Sequence, residues 1–230
     1  MKVLAFNASP RKKNSVSEII LNLFLDGASK AGAVIEKHYV TDLNIKGCIG
    51  CFNCWWKTPG KCVQRDDMDW ILPKIAEADV LYLGTPIYHY NIIHYLQRMR
   101  ERTLPLAMPE MYIKDGETHH PGRQRNVDQT TVLAAVCGFP DLVNFNQAKG
   151  LFPDAVHIFL PASGILYDEE GRKYLQGFME AVKTAGSILV ETRELSEAVR
   201  ATLVVEYPDE VKQRIVSQHN EYSSSFSTEK

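Results

Sequence analysis

Residues 3–24 constrain the fold more than any other stretch of the chain. Val3-Leu4-Ala5-Phe6 is a continuous apolar run, the mark of a strand buried on both faces. The polar-rich stretch Asn7-Ala8-Ser9-Pro10-Arg11-Lys12-Lys13-Asn14-Ser15 follows. Val16, Ile19, Ile20, Leu23 and Phe24 then fall on one face of a helix. The loop therefore leaves the carboxyl end of a central strand and enters a helix N-terminus, where unpaired N–H groups and the positive end of the dipole converge. Ser9, Asn14 and Ser15 add neutral donors; Arg11, Lys12 and Lys13 add charge. Phosphate is the anion such a loop suits. The same residues also suit a polar loop with a good cap, because Ser15 and Glu18 make a capping box on their own account.

The rest of the chain repeats the pattern. A helix is expected from about residue 15 to 30, with Gly32 as its stop. Residues 34–40 alternate apolar and polar, as an exposed edge strand does. Asp66-Asp67-Met68-Asp69 opens a further helix, in which Pro73 is harmless only if Asp69 is the N-cap. Val80-Leu81-Tyr82-Leu83 reads as a buried strand ending at Gly84-Thr85-Pro86, followed by a helix over about 91–103. Residues 105–129, rich in Pro, Gly, His and Arg, read as a long surface insertion. Strands over 132–136 and 155–160 follow. A closing helix is marked by Leu175, Phe178, Met179, Val182, Ala185 and Leu189. Residues 1–200 form one domain in this reading, and 201–230 a helical tail with a Ser-rich frayed end from Ser223. Five strands alternating with helices predict an α/β doubly wound parallel sheet with helices on both faces. In the order 2-1-3-4-5, the loops after strands one and three flank the switch point.

Ser9-Pro10-Arg11 followed by Asn14-Ser15, after an N-terminal strand, resembles the FMN-phosphate loop of the flavodoxin-like NAD(P)H-dependent FMN reductases. The cysteines from Cys48 to Cys62, Asp66-Asp67-Met68, Gly84-Thr85-Pro86-Ile87-Tyr88 and Arg102-Thr103-Leu104-Pro105-Leu106 extend the likeness to the iron–sulfur flavoprotein branch. The specific motifs run to about residue 106, and a weaker likeness to about 192. Lys13 stands where many members have Gly, and Gln97 where many have Lys. The resemblance implies FMN on the sheet, and there is no G-x-G-x-x-G after strand one to suggest a dinucleotide instead. It assigns the phosphate to Ser9, Arg11, Asn14, Ser15 and Val16. Thr85, Pro86, Ile87 and Tyr88 would line the ribityl chain and ring edge, and Cys137, Gly138 and Phe139 would close the far side. Tyr88 suits a stacking partner or a core aromatic equally. Asn91 suits a flavin contact or a helix cap.

Cys48, Cys51, Cys54 and Cys62 read C-x2-C-x2-C-x7-C. Thiolates so spaced can reach the corners of a [4Fe–4S] cube. A four-cysteine zinc site is a second reading, for which the second x2 is awkward. A loop with no metal is a third. Trp55 and Trp56 suit a hydrophobic shell or a subunit contact. Cys137, far off in sequence, reads as a small buried hydrophobe.

With 28 acidic against 26 basic residues there is no global basic field, so nucleic acid is not suggested. No apolar run approaches the length that spans a bilayer. The chain enters a strand at once, without a leader-like segment. The expectation is a cytoplasmic oxidoreductase, with no membrane partner. It would take electrons from NAD(P)H or a ferredoxin-like donor and pass them through FMN to a quinone, a free flavin or a redox protein. The alternative is an electron carrier without a substrate pocket of its own. The resemblance also implies a homodimer or homotetramer.

Overall fold

The computed structural model describes residues 1–123 and 128–225. The strands are β1 Lys2–Asn7, β2 Val34–Tyr39, β3 Val80–Tyr88, β4 Asn91–Ile92, β5 Tyr112–Lys114, β6 Glu117–His119, β7 Thr130–Val136 and β8 Val156–Leu160. The main sheet runs β2-β1-β3-β7-β8, all parallel, with β4 antiparallel to the end of β3. The five long strands thus keep the expected order, and the switch point lies between β1 and β3.

The α-helices are α1 Val16–Lys30, α2 Asn53–Trp56, α3 Met68–Glu77, α4 His94–Glu101, α5 Asn146–Leu151, α6 Glu169–Tyr174, α7 Gln176–Thr192, α8 Glu197–Thr202 and α9 Asp209–Ser225. Strand periodicity sorts the core into two layers. Val3, Ala5, Val80, Tyr82, Val132 and Ala134 face α1 and α7, while Leu4, Phe6, Leu81, Leu83, Leu133 and Ala135 face α3, α4 and α5. Gly27 and Gly186 set how closely α1 and α7 approach. A Cβ on Gly27 would stand 1.8 Å from the Lys183 carbonyl oxygen, and one on Gly186 2.1 Å from that of Phe24.

Several expectations shift. Helix α3 begins after Asp67, not Asp69, so Pro73 lies inside it and leaves the Asp69 carbonyl without its helical donor. Strand β3 does not stop at Leu83. Pairing with β7 carries it through Pro86, and it then folds back on β4. Helix α4 accordingly starts at His94 rather than 91. Within the insertion, β5 and β6 form an antiparallel hairpin; residues 124–127 lie outside the described residues. The tail is more than an appendage: Phe159 of β8 bonds both Leu203 and Val205, so residues 203–205 cover the sheet edge. Helix α9 continues through Ser223 to Ser225, and the remainder of the expected frayed end, 226–230, lies outside the described residues. No helix among the described residues is long and apolar enough to cross a membrane.

Candidate functional site

The loop after β1 is held from behind. Ser15 caps α1, accepting from the Glu18 N–H at 3.1 Å, and its hydroxyl donates to the Lys12 carbonyl at 2.7 Å. The Glu18 carboxylate does not complete a capping box. It accepts from Asn7 Nδ2 at 2.9 Å, Lys37 Nζ at 2.6 Å and the Tyr39 hydroxyl at 2.9 Å. Burial alone would raise the Glu18 pKa, but these donors outweigh it and hold the carboxyl below its usual range. Asn7, fully buried, turns its Oδ1 to the Ser9 N–H at 2.9 Å. The Glu18 carboxylate is thus charge-paired and serves as an anchor for the loop.

The front of the loop is open. Arg11, Lys13 and Asn14 are exposed, while Ser9, Ser15 and Val16 are buried beneath them. Lys12, in a left-handed conformation, is drawn into an ion pair with Asp42. Arg11 lies over the Tyr167 ring at 5.3 Å, and the Tyr167 hydroxyl donates to the Asn14 carbonyl at 2.9 Å. Ser17 Oγ, buried in the first turn of α1, has no partner. First-turn N–H groups of α1, beside the exposed Arg11, are the kind of donors an FMN phosphate needs. Tyr167 did not emerge from sequence reasoning. Its only signal is its place in the loop after β8, another carboxyl-end loop of the sheet.

The second loop is a tight hairpin. His89 and Tyr90 form its two-residue turn, both with positive φ (48° and 63°), a conformation Gly or Asn ordinarily supplies. Thr85 is fully buried, and its hydroxyl is committed to the backbone: it donates to the Pro86 carbonyl at 2.8 Å and accepts from the Ile93 N–H at 3.3 Å. Pro86 and Ile87 are buried in the strand. Tyr88 is exposed, and so is Asn91, whose Oδ1 accepts from the Ile92 N–H. Phe139 is exposed across from the turn and stacks on Tyr90 at 6.3 Å. Gly138 is exposed beside it. Cys137 is buried, its thiol donating to the Phe139 carbonyl at 3.2 Å and pushed up to about 11 by burial.

The cysteine loop is stitched shut at its base. The Asn44 and Lys46 N–H groups donate to Asp67 and Asp66 at 2.6 and 2.9 Å, and Gln64 reaches the Gly47 carbonyl at 2.8 Å. The Asp66 side chain is fully buried and pairs in bidentate fashion with Arg102, at 2.6 and 3.0 Å; Arg102 is itself 1% exposed. Burial would raise the Asp66 pKa, but Arg102 and two backbone N–H groups hold it below the usual range. Gly50 and Phe52 take positive φ between the cysteines, and Trp55 ties α2 to the Leu104 carbonyl at 3.2 Å. His120 of the insertion is exposed, and its ring lies tilted against Trp55 with centroids 4.9 Å apart.

Cys48, Cys51, Cys54 and Cys62 line one cavity, walled by Ile49, Phe52, Val63, Leu104 and Pro105. Among the described residues no three Cys, His, Asp or Glu groups stand at the spacing that would hold a metal ion. A single zinc would draw four sulfurs to about 3.8 Å from one another, given Zn–S bonds of about 2.3 Å.

A model of the NADPH-dependent FMN reductase family matches residues 1–93. An iron–sulfur flavoprotein of Methanocaldococcus jannaschii is 31% identical over 140 residues, 60% of this chain and 71% of that one. An iron–sulfur flavoprotein of Archaeoglobus fulgidus is 34% identical over 143 residues; the match takes in 62% of this chain but only 59% of that relative's length. In three dimensions the chain is similar to an FMN-dependent NADH-azoreductase of Bacillus anthracis in complex with FMN. The TM-score is 0.60 and the identity 18%, over 83% of this chain and 100% of that one. The fold is accordingly flavodoxin-like. On its likeness to the Methanocaldococcus relative, the chain belongs to the NADPH-dependent FMN reductase family, in its iron–sulfur flavoprotein branch.

Proposed function

We propose that the protein is a cytoplasmic FMN-dependent oxidoreductase. It draws electrons from NAD(P)H or a ferredoxin-like donor and passes them to a small acceptor such as a quinone or flavin, or to a redox protein. The observation that carries this reading is the convergence of three loops at the carboxyl rim beside the switch point: the anchored 8–15 loop, the strained 85–93 hairpin and the 137–141 turn. Arg11, Asn14, Ser15, the buried Ser9 hydroxyl side and the first turn of α1 at Val16 hold the phosphate. Tyr167 keeps Arg11 in place from the far side. Tyr88, Tyr90, Asn91 and Phe139 flank the ring, and Thr85, Pro86 and Ile87 fix the shape of that wall. The redox chemistry belongs to the FMN that these loops receive. No side chain need act as acid or base: Cys137, the buried thiol at this rim, stays protonated at neutral pH.

A [4Fe–4S] group on Cys48, Cys51, Cys54 and Cys62 would add single-electron exchange. Helix α4 supports this second centre. It leaves the hairpin at Ile93, whose N–H Thr85 holds, and delivers Arg102 to the cysteine cavity after roughly 14 Å of helix. The exposed Ile49, Phe52 and Trp56 around that cavity favour, as a second reading, an electron carrier that docks on another protein. These residues and the exposed Met111 and Ile113 of the insertion hairpin also suit a homodimer or homotetramer.

Anaerobically purified protein should show a flavin spectrum, about four irons and four sulfides per chain, and oxidation of NADH or NADPH by a quinone. Cys51→Ser should lose the iron and keep the flavin. A flavin spectrum without iron after reconstitution removes the cluster; iron without flavin removes the FMN reading. Quinone reduction by reduced ferredoxin alone favours the carrier. A monomer in light scattering at micromolar concentration rejects the oligomer.

A further inference from the structure

The Arg102 guanidinium has a donor that its known partners do not use. Two of its nitrogens are committed: Nη1 to Asp66 at 2.6 Å and to the Lys46 carbonyl at 2.8 Å, Nη2 to Asp66 at 3.0 Å. Nε, equally buried, has no acceptor. An arginine donor sealed from water without a partner is costly, so such atoms call for an explanation. Arg102 lines the cavity of the four cysteines and is the only cationic side chain among the described residues that do so. Glu101 is the one carboxylate there, and the remaining wall is apolar or amide.

We propose that Arg102 is a positioning and potential-setting residue for the four-cysteine site, its Nε–H donating to the Cys62 thiolate when the site is loaded. The inference rests on the cluster reading above. Cys62 lines the same cavity as Arg102 and stands close enough to the guanidinium to interact with it. Four thiolates around a cluster carry net negative charge, and an added electron increases it. A fixed cation and an N–H···S bond therefore favour the reduced form. Asp66 holds the fork through Nη1 and Nη2, which leaves Nε uncommitted. The pair would thus do two things: clamp the base of the cysteine loop and place one positive charge where the electron arrives.

The test is a mediated redox titration, followed by EPR, of anaerobically reconstituted protein as wild type, Arg102→Gln and Arg102→Lys. Arg102→Gln should lower the reduced-to-oxidised ratio at fixed potential at least about tenfold, which is about 59 mV for a one-electron couple. Arg102→Lys, which keeps the charge and loses the fork, should recover part of that shift. Because a buried variant can fail to fold, wild type grown with 15N-arginine supplies a second measurement: a pulsed-EPR nitrogen coupling on the reduced cluster that is absent from Arg102→Lys. An unmoved midpoint in Arg102→Gln, or no arginine coupling in wild type, overturns this inference while the cluster stands. Wild type that takes up no iron overturns the inference and the cluster reading together.

Discussion

Removing the Asp66 carboxylate is the most informative single perturbation. That group accepts four hydrogen bonds, from the Lys46 and Met68 N–H groups and from Nη1 and Nη2 of Arg102. In Asp66→Ala the guanidinium stays buried at 1% exposure without its counter-charge. Breaking a buried pair from one side costs about 3–5 kcal/mol, a large share of the roughly 5–15 kcal/mol that holds a domain. For a chain of this length that is a fall in Tm of about 6–20 °C. The base of the cysteine loop should loosen with it, because the Lys46 contacts to Asp66 and Arg102 fail together. Urea and thermal unfolding of iron-free protein is the assay, so that metal binding to the folded state does not mask the loss. Asp66→Asn, which keeps acceptors for the backbone but not the charge, should fall between. A loss below about 1 kcal/mol, the worth of an exposed pair, would refute the reasoning.

Three further outcomes follow from the same contacts. The Asp66 pKa in the folded state lies below its ordinary value of 3.8, so its stabilisation is complete above that value and disappears as pH falls through the lower one; urea midpoints of iron-free protein should drop in that acid window, and less in Asp66→Asn. Arg11→Ala should weaken FMN by about 1.5–3 kcal/mol, the worth of a hydrogen bond to a charged group, and leave riboflavin nearly unchanged; calorimetric titration with both ligands checks it, and equal wild-type affinity for the two would dismiss phosphate recognition. Gly186→Ala should destabilise by about 1–3 kcal/mol or more, because its Cβ would stand 2.1 Å from the backbone of α1; unchanged denaturant midpoints would show that the helix crossing can open freely.

Local pattern carried much of this. The buried runs at Val3, Val80 and Val132 suit central strands, which hide both faces of so short a segment. The Ser15 cap follows from the side chain alone. The four-cysteine spacing announced a shared site before any coordinates. These features depend on neighbours a few residues away, so the sequence displays them directly.

What lay beyond the sequence were contacts between distant segments. Strand β3 outruns its apolar stretch because β7 continues to pair with it, a reason that resides in another strand. Tyr167 reaches Asn14 across 153 residues, and no periodicity reports that. The Thr85 hydroxyl turns inward because Ile93 needs an acceptor. Glu18, placed to cap its own helix, is claimed by Lys37 and Tyr39 once β2 lies alongside. Sequence by itself determined which segments are buried, which are helices and which thiols belong together, because these rest on solvation and local backbone geometry. Tertiary structure alone decided which polar groups satisfy one another. A buried donor takes whichever acceptor the packing brings within 3 Å, and that choice is made only when the chain closes.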